Sequence, residues 1–154
     1  MTREHIREIA EDPKEFLDRG FRLNARIAAK RARIARWREH AESITVNLKH
    51  DAGISRGGNK RSSIENIVED IIGLEEEITA EIKELLQIER DVRRAIYVFV
   101  VDSRRRMVLE MRYLDQLQLD EIADKLGFSY RWTQRIYAKA ISEMQETARC
   151  TLQM

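Results

Sequence analysis

Tyr130, Arg131, Gln134, Arg135 and Lys139 are hydrogen-bond donors that recur along a stretch holding no acidic residue from Tyr130 to Ser142. On a helix this spacing gathers them on one side. Arginine and glutamine presented in that way can read base edges in a DNA major groove, and lysine or arginine can neutralise phosphates. Thr133, Ile136, Tyr137, Ala140, Ile141 and Met144 fall on the other side, so a helix is predicted from about residue 130 to 144 with a buried face opposite its basic one.

Other chemistry finds little support. His5, His40 and His50 are far apart and form no metal-ligand motif, and Cys150 is the only cysteine. Gly53, Gly57 and Gly58 lack the Gly-Lys-Ser/Thr ending of a phosphate-binding loop. The reading is of a non-enzyme, with no catalytic residue, metal or cofactor.

The basic helix needs elements to hold it. Leu119, Ile122, Ala123 and Leu126 make one apolar stripe of a short preceding helix, with Asp120, Glu121, Asp124 and Lys125 toward water. Gly127 stands where that helix must end and the chain must turn, and Ser129 can cap the next. This is the outline of a helix-turn-helix. A helical hairpin with a solvated basic face would share much of the pattern, but a third helix upstream favours a small folded domain. There Met107, Val108, Met111 and Leu114 share a side behind a cap at Asp102 or Ser103.

The run from Ser103 to Met144 resembles region 4 of sigma-70-type factors. The resemblance rests on Met111-Arg112-Tyr113, Glu121-Ile122-Ala123, Leu126-Gly127, Ser129 and Ala138-Lys139-Ala140-Ile141. It implies DNA contacts by Ser129, Tyr130, Arg131 and Gln134, with Arg135 and Lys139 nearby. Tyr130-Arg131 replaces the family's frequent Arg-Glu pair and Gln134 a frequent arginine, so the sigma promoter sequence is not the implied target. Gln118 also stands where serine or threonine usually caps the first helix. The whole chain, with charged helices ahead of this domain, is similar to small phage-encoded regulators of the RinA and ArpU type. That similarity implies activation of late phage genes.

The 154 residues fit one or two domains, and 36% charged against 6% aromatic residues favours helix over sheet. Pro13 is the only proline; Asp12, Pro13 and Glu15 together read as a helix start. Leu23, Ile27, Ile34, Trp37, Ala41, Ile44 and Leu48 follow three- and four-residue steps interrupted by Lys30. A second series runs Ile67, Ile71, Leu74, Ile78, Leu85, Ile88, Val92 and Ile96. Both are coiled-coil patterns. Between them a polar, glycine-rich stretch near 49–62 reads as a loop, with Ser62 and Glu65 restarting the helix.

The overall charge of +1 hides a strong asymmetry: residues 19–61 carry a net +9 and residues 62–101 a net −6. Opposite charge on consecutive helices suggests an antiparallel pair, although a basic arm can also track DNA. Arg56, Lys60 and Arg61 in the loop are candidate phosphate contacts or simply solvated.

The expected fold is all-α: an N-terminal helical segment (1–18), a long antiparallel hairpin (19–101) and a helix-turn-helix domain (102–154). The expected function is sequence-specific DNA-binding transcriptional regulation. A protein-binding adaptor and a small terminase-like DNA-packaging subunit are the alternatives. Double-stranded DNA is the expected partner, with self-association, a dimer first, because a two-helix hairpin buries only one seam per helix. RNA polymerase is a further candidate partner. The sequence shows no apolar run of transmembrane length and no secretory segment, and its cysteine usage suits a reducing bacterial cytoplasm.

Overall fold

The computed structural model of the chain describes residues 1–50 and 57–154, without the side chains of residues 57–60. Among the described residues the fold is all-α: α1 (Arg3–Glu11), α2 (Pro13–His50), α3 (Gly57–Phe99), α4 (Ser103–Tyr113), α5 (Leu119–Leu126) and α6 (Tyr130–Gln153). None of these helices is long and apolar enough to cross a membrane. Local chemistry explains most of the boundaries. The Thr2 hydroxyl accepts from the His5 amide at 3.2 Å, and Asp12 Oδ1 from Glu15 at 3.1 Å, which starts α2 at Pro13 where a missing N–H does no harm. Asp102, rather than Ser103, caps α4 by accepting from the Arg105 amide at 2.9 Å.

Two compact units emerge, and they do not follow the expected divisions. One combines Met1–Arg22 with Leu85–Met154; the other is Leu23–Glu84. The first is built on Ile9, Leu17, Ile96, Phe99, Leu109 and Met144, so the N-terminal segment belongs to the core on which α6 packs. α6 also continues nine residues beyond the expected end at Met144. Its last turns explain the docking of α1. Gln145 Nε2 donates to the carbonyls of Ala10 and Glu11, both at 3.1 Å, and Arg149 Nε donates to Ala10 at 3.2 Å. These bonds satisfy carbonyls that the end of α1 leaves without intrahelical partners, and α1 has no basic residue of its own in its last turn.

In the Leu23–Glu84 unit α2 and α3 run antiparallel, since partners fall along α3 as they rise along α2: Lys30 with Glu81 at 2.5 Å, and Arg38 with Glu75 at 2.6 Å. Leu23, Ile27 and Ile34 of α2 are buried, as are Ile71, Leu74 and Ile78 of α3. The Lys30 interruption is matched across the seam. Its ammonium meets Glu81, which is only 13% exposed, and Glu77 at 3.1 Å. The hydrogen bond that Lys30 donates to Glu81 raises its pKa above the ordinary lysine value. Glu77 and Glu81 stand one turn apart on α3, so Lys30 meets carboxylates at the edge of the apolar seam instead of being left unpaired there. The helices also take in more of the expected 49–62 loop than foreseen. α2 reaches His50 and α3 starts at Gly57, so Ser62 lies inside a helix rather than at its cap.

Candidate nucleic-acid interface

The turn between α5 and α6 is closed by backbone geometry that glycine makes cheap. Gly127 adopts φ +69°, ψ 29°, in the left-handed region. The Phe128 amide donates to Ala123 at 3.0 Å and the Gly127 amide to Asp124 at 3.4 Å, the two bonds of a Schellman closure. Ser129 then begins α6: its Oγ accepts from the Trp132 amide at 3.1 Å. Its carbonyl accepts from the Thr133 hydroxyl at 3.0 Å, which satisfies the one buried polar side chain among the described residues. The Ser129 hydroxyl oxygen is thus occupied at the helix cap. At the start of α5 the Gln118 amide donates to Glu121 Oε2 at 2.8 Å, so Glu121 helps to close that end.

Beneath the turn, Ile122, Ile136 and Val108 form a small core with Leu117, Leu119, Leu126 and Phe128 packed around it. This core fixes the rotation of α6 about its axis. Thr133, Ile136, Ala140, Met144 and Ala148 point inward, while Tyr130, Arg131, Gln134, Arg135, Ala138 and Lys139 are exposed. Tyr137 is half-buried, its hydroxyl 2.6 Å from that of Tyr113, whose phenol is pushed up from the ordinary value by burial and by this bond. Among the described residues no ion pair engages Arg131, Arg135 or Lys139.

Two further residues join this surface. Trp132 is 40% exposed, and it borders a notch of about 150 Å³ with Arg104, Arg135 and Lys139. Arg104 belongs to a run of three arginines whose other members are engaged. Arg105 bonds Glu143 at 2.8 Å, which raises its pKa further. Arg106 lies over the Tyr97 ring and donates to the Tyr97 and Val100 carbonyls at the end of α3. Arg104 is left at the notch, its guanidinium 5.7 Å from the Phe128 ring centroid. In the sequence the three arginines look alike; only the tertiary partners separate them. Asp102, also lining the notch, is held below the ordinary aspartate value by accepting from the Arg105 amide. A larger depression of about 500 Å³ beside Arg112, Gln118, Tyr130 and Tyr137 includes the Asp120 carboxylate, which makes it a poorer seat for phosphate.

Of the loop cations, Arg56 and the side chain of Lys60 lie outside the described residues. Arg61 is exposed near the start of α3, in the Leu23–Glu84 unit. A family model matches residues 46–145, from the end of α2 through most of α6. The chain belongs to the DUF1492 family. That family is described as one of unknown function. No curated protein and no solved structure matches the chain. The DUF1492 match includes α4, α5 and the basic face of α6 and ends at Gln145, leaving out α1 and Arg149. Among the described residues no group of histidine, cysteine, aspartate or glutamate is arranged to hold a metal ion.

Proposed function

We propose that this DUF1492 protein is a sequence-specific DNA-binding transcriptional regulator in which α5, the Gly127 turn and α6 act as a helix-turn-helix of the sigma region 4 kind. The observation that carries the proposal is the outward side of α6. Arg131, Gln134, Arg135 and Lys139 are exposed together, without carboxylate partners among the described residues, on a helix whose opposite side is locked into a core. A helix locked on its opposite side has little backbone freedom to lose on entering a major groove, so only its side chains remain to be ordered. Arg131 and Gln134 are assigned to base edges. Arg135, Lys139 and Arg104 are assigned to phosphates, with the Trp132 ring against the sugar-phosphate backbone. In keeping with the RinA and ArpU resemblance, the protein acts in the bacterial cytoplasm near promoters of late phage genes, with RNA polymerase as a second partner.

Selection of bound fragments from genomic DNA, followed by sequencing, tests the proposal directly. A recurrent motif is expected. Arg131→Ala and Gln134→Ala should each lose about 1–3 kcal/mol of discrimination at one base position while the fold stays intact. Recovery of no motif, or unchanged preference for specific over random DNA in both variants, would remove the assignment.

A further inference from the structure

We infer that one face of the α2–α3 pair in the Leu23–Glu84 unit is an interface for a second copy of this chain, with α2 of each copy lying over α3 of the other. The two faces of the pair differ sharply. One edge is charged and matched within the chain, where Arg26 and Lys30 meet Glu81 and Glu77. The other holds a groove of about 450 Å³ whose lining includes Ile34, Ala35, Ile78 and Thr79, with Arg31 and the Arg38–Glu75 ion pair at its rim. Val46, Val68 and Ile72 are the large exposed hydrophobic side chains of this unit among the described residues, at 54%, 46% and 51% exposure. All three fall on the grooved side. Ile72 and Val68 precede Thr79 and Glu75 by seven residues, and Val46 follows Ala35 by three full turns.

A solvated helix pair gains nothing from three aliphatic side chains aligned beside a groove, whereas a two-helix layer that meets another layer buries them. Charge selects the occupant and its orientation. Residues 23–50 carry seven basic and two acidic side chains, and residues 61–84 carry two basic and eight acidic ones. Laying the grooved faces together with α2 over the partner's α3 gives every helix neighbours of opposite sign, both within its own chain and across the interface. Stacking α2 on α2 would confront two basic helices and two acidic ones. The surface is therefore complementary to itself, as a two-fold interface requires, and a copy of this chain supplies both halves.

The test uses the full chain. Light scattering coupled to gel filtration is expected to give twice the chain mass, falling to a single-chain mass for Ile72→Glu and for Val68→Arg with helicity by circular dichroism unchanged. Both positions are exposed, so neither substitution disturbs the seam. Orientation is read in a Cys150→Ser background by co-refolding a copy carrying Ala35→Cys with a copy carrying Thr79→Cys. The mixed disulfide is expected to exceed the sum of the two like-with-like products, which random pairing would only equal. A monomeric parent would overturn the interface and leave the face to a different protein. Unchanged mass in both charge variants would overturn the assigned surface, and a predominance of Ala35→Cys homodimers would overturn the orientation.

Discussion

Ile9→Ala is the most demanding perturbation of this fold, because it tests whether the first helix is structurally part of the domain that carries the basic face. Ile9 has no exposed surface and packs in the core shared by α1, α3, α4 and α6. Truncation to alanine removes three carbon atoms, about 2.4 kcal/mol of transfer free energy at ~0.8 kcal/mol per methylene. The cavity left behind adds to this, for a loss of about 2–5 kcal/mol. The neighbouring exposed Arg7 serves as control, since Arg7→Ala should stay within roughly 0.5 kcal/mol of the parent. Urea unfolding in a Trp37→Phe background leaves Trp132 as the sole tryptophan, and it reports on the Met1–Arg22 and Leu85–Met154 unit from the start of α6. The midpoint should fall with Ile9→Ala while the slope is retained. A midpoint equal to that of Arg7→Ala would show that α1 is an appendage and that the shared core has been misassigned.

Gly127→Ala should cost about 1–2 kcal/mol through backbone strain alone, because a Cβ there meets nothing within 4 Å and only the left-handed conformation penalises it; thermal melts matching the parent would mean that the turn is not held in that conformation. Arg104→Ala should reduce the slope of log affinity for DNA against log salt by about one phosphate contact, ~0.9; an unchanged slope would take the notch out of the interface. The Asp102 cap should be pH-dependent in a defined direction: its pKa is lowered in the folded state, so its charge contributes stability above the ordinary aspartate value and loses it as pH falls through the lower folded value. The gap in melting temperature between the parent and Asp102→Asn should therefore close in strong acid, and a gap independent of pH would contradict the charged cap.

How much of this was legible in the sequence varies with the range of the interactions. The seam positions of α2 and α3 could be read because a repeat of about 3.5 residues sustained over many turns admits one buried face. Gly127 and Ser129 announced the turn by local chemistry, and the alternation of Ile136, Ala140 and Met144 with Arg135 and Lys139 set the rotation of α6. What escaped was tertiary. Past Met144 the helix offers mainly Ala148 to a core, and Gln145 and Arg149 look like solvent-facing residues until α1 is laid beside them. Trp132 was hidden between residues assigned to opposite sides. Arg104 could not be told from Arg105 and Arg106 without knowing that Glu143 and the end of α3 engage the other two. The start of α3 at Gly57 runs against the low helix propensity of Gly57 and Gly58, which is why Ser62 looked like the natural beginning.

The hydrogen bonds from Gln145 and Arg149 to Ala10 span 135 and 139 residues of chain, and this separation dictates an order of assembly. During synthesis α1 is made first, yet the groups that cap it emerge only after α2 to α5 and most of α6. The paired segments of Leu23–Glu84 are close in sequence and can zip together while the first helix still waits with bare carbonyls and an exposed Ile9. A nascent chain stalled before Gln145 would already hold the turn, the basic face and the Val108, Ile122 and Ile136 core beneath them, but not the bonds that dock α1. Closure of the core around Ile9 would then arrive late, with the final turns of α6.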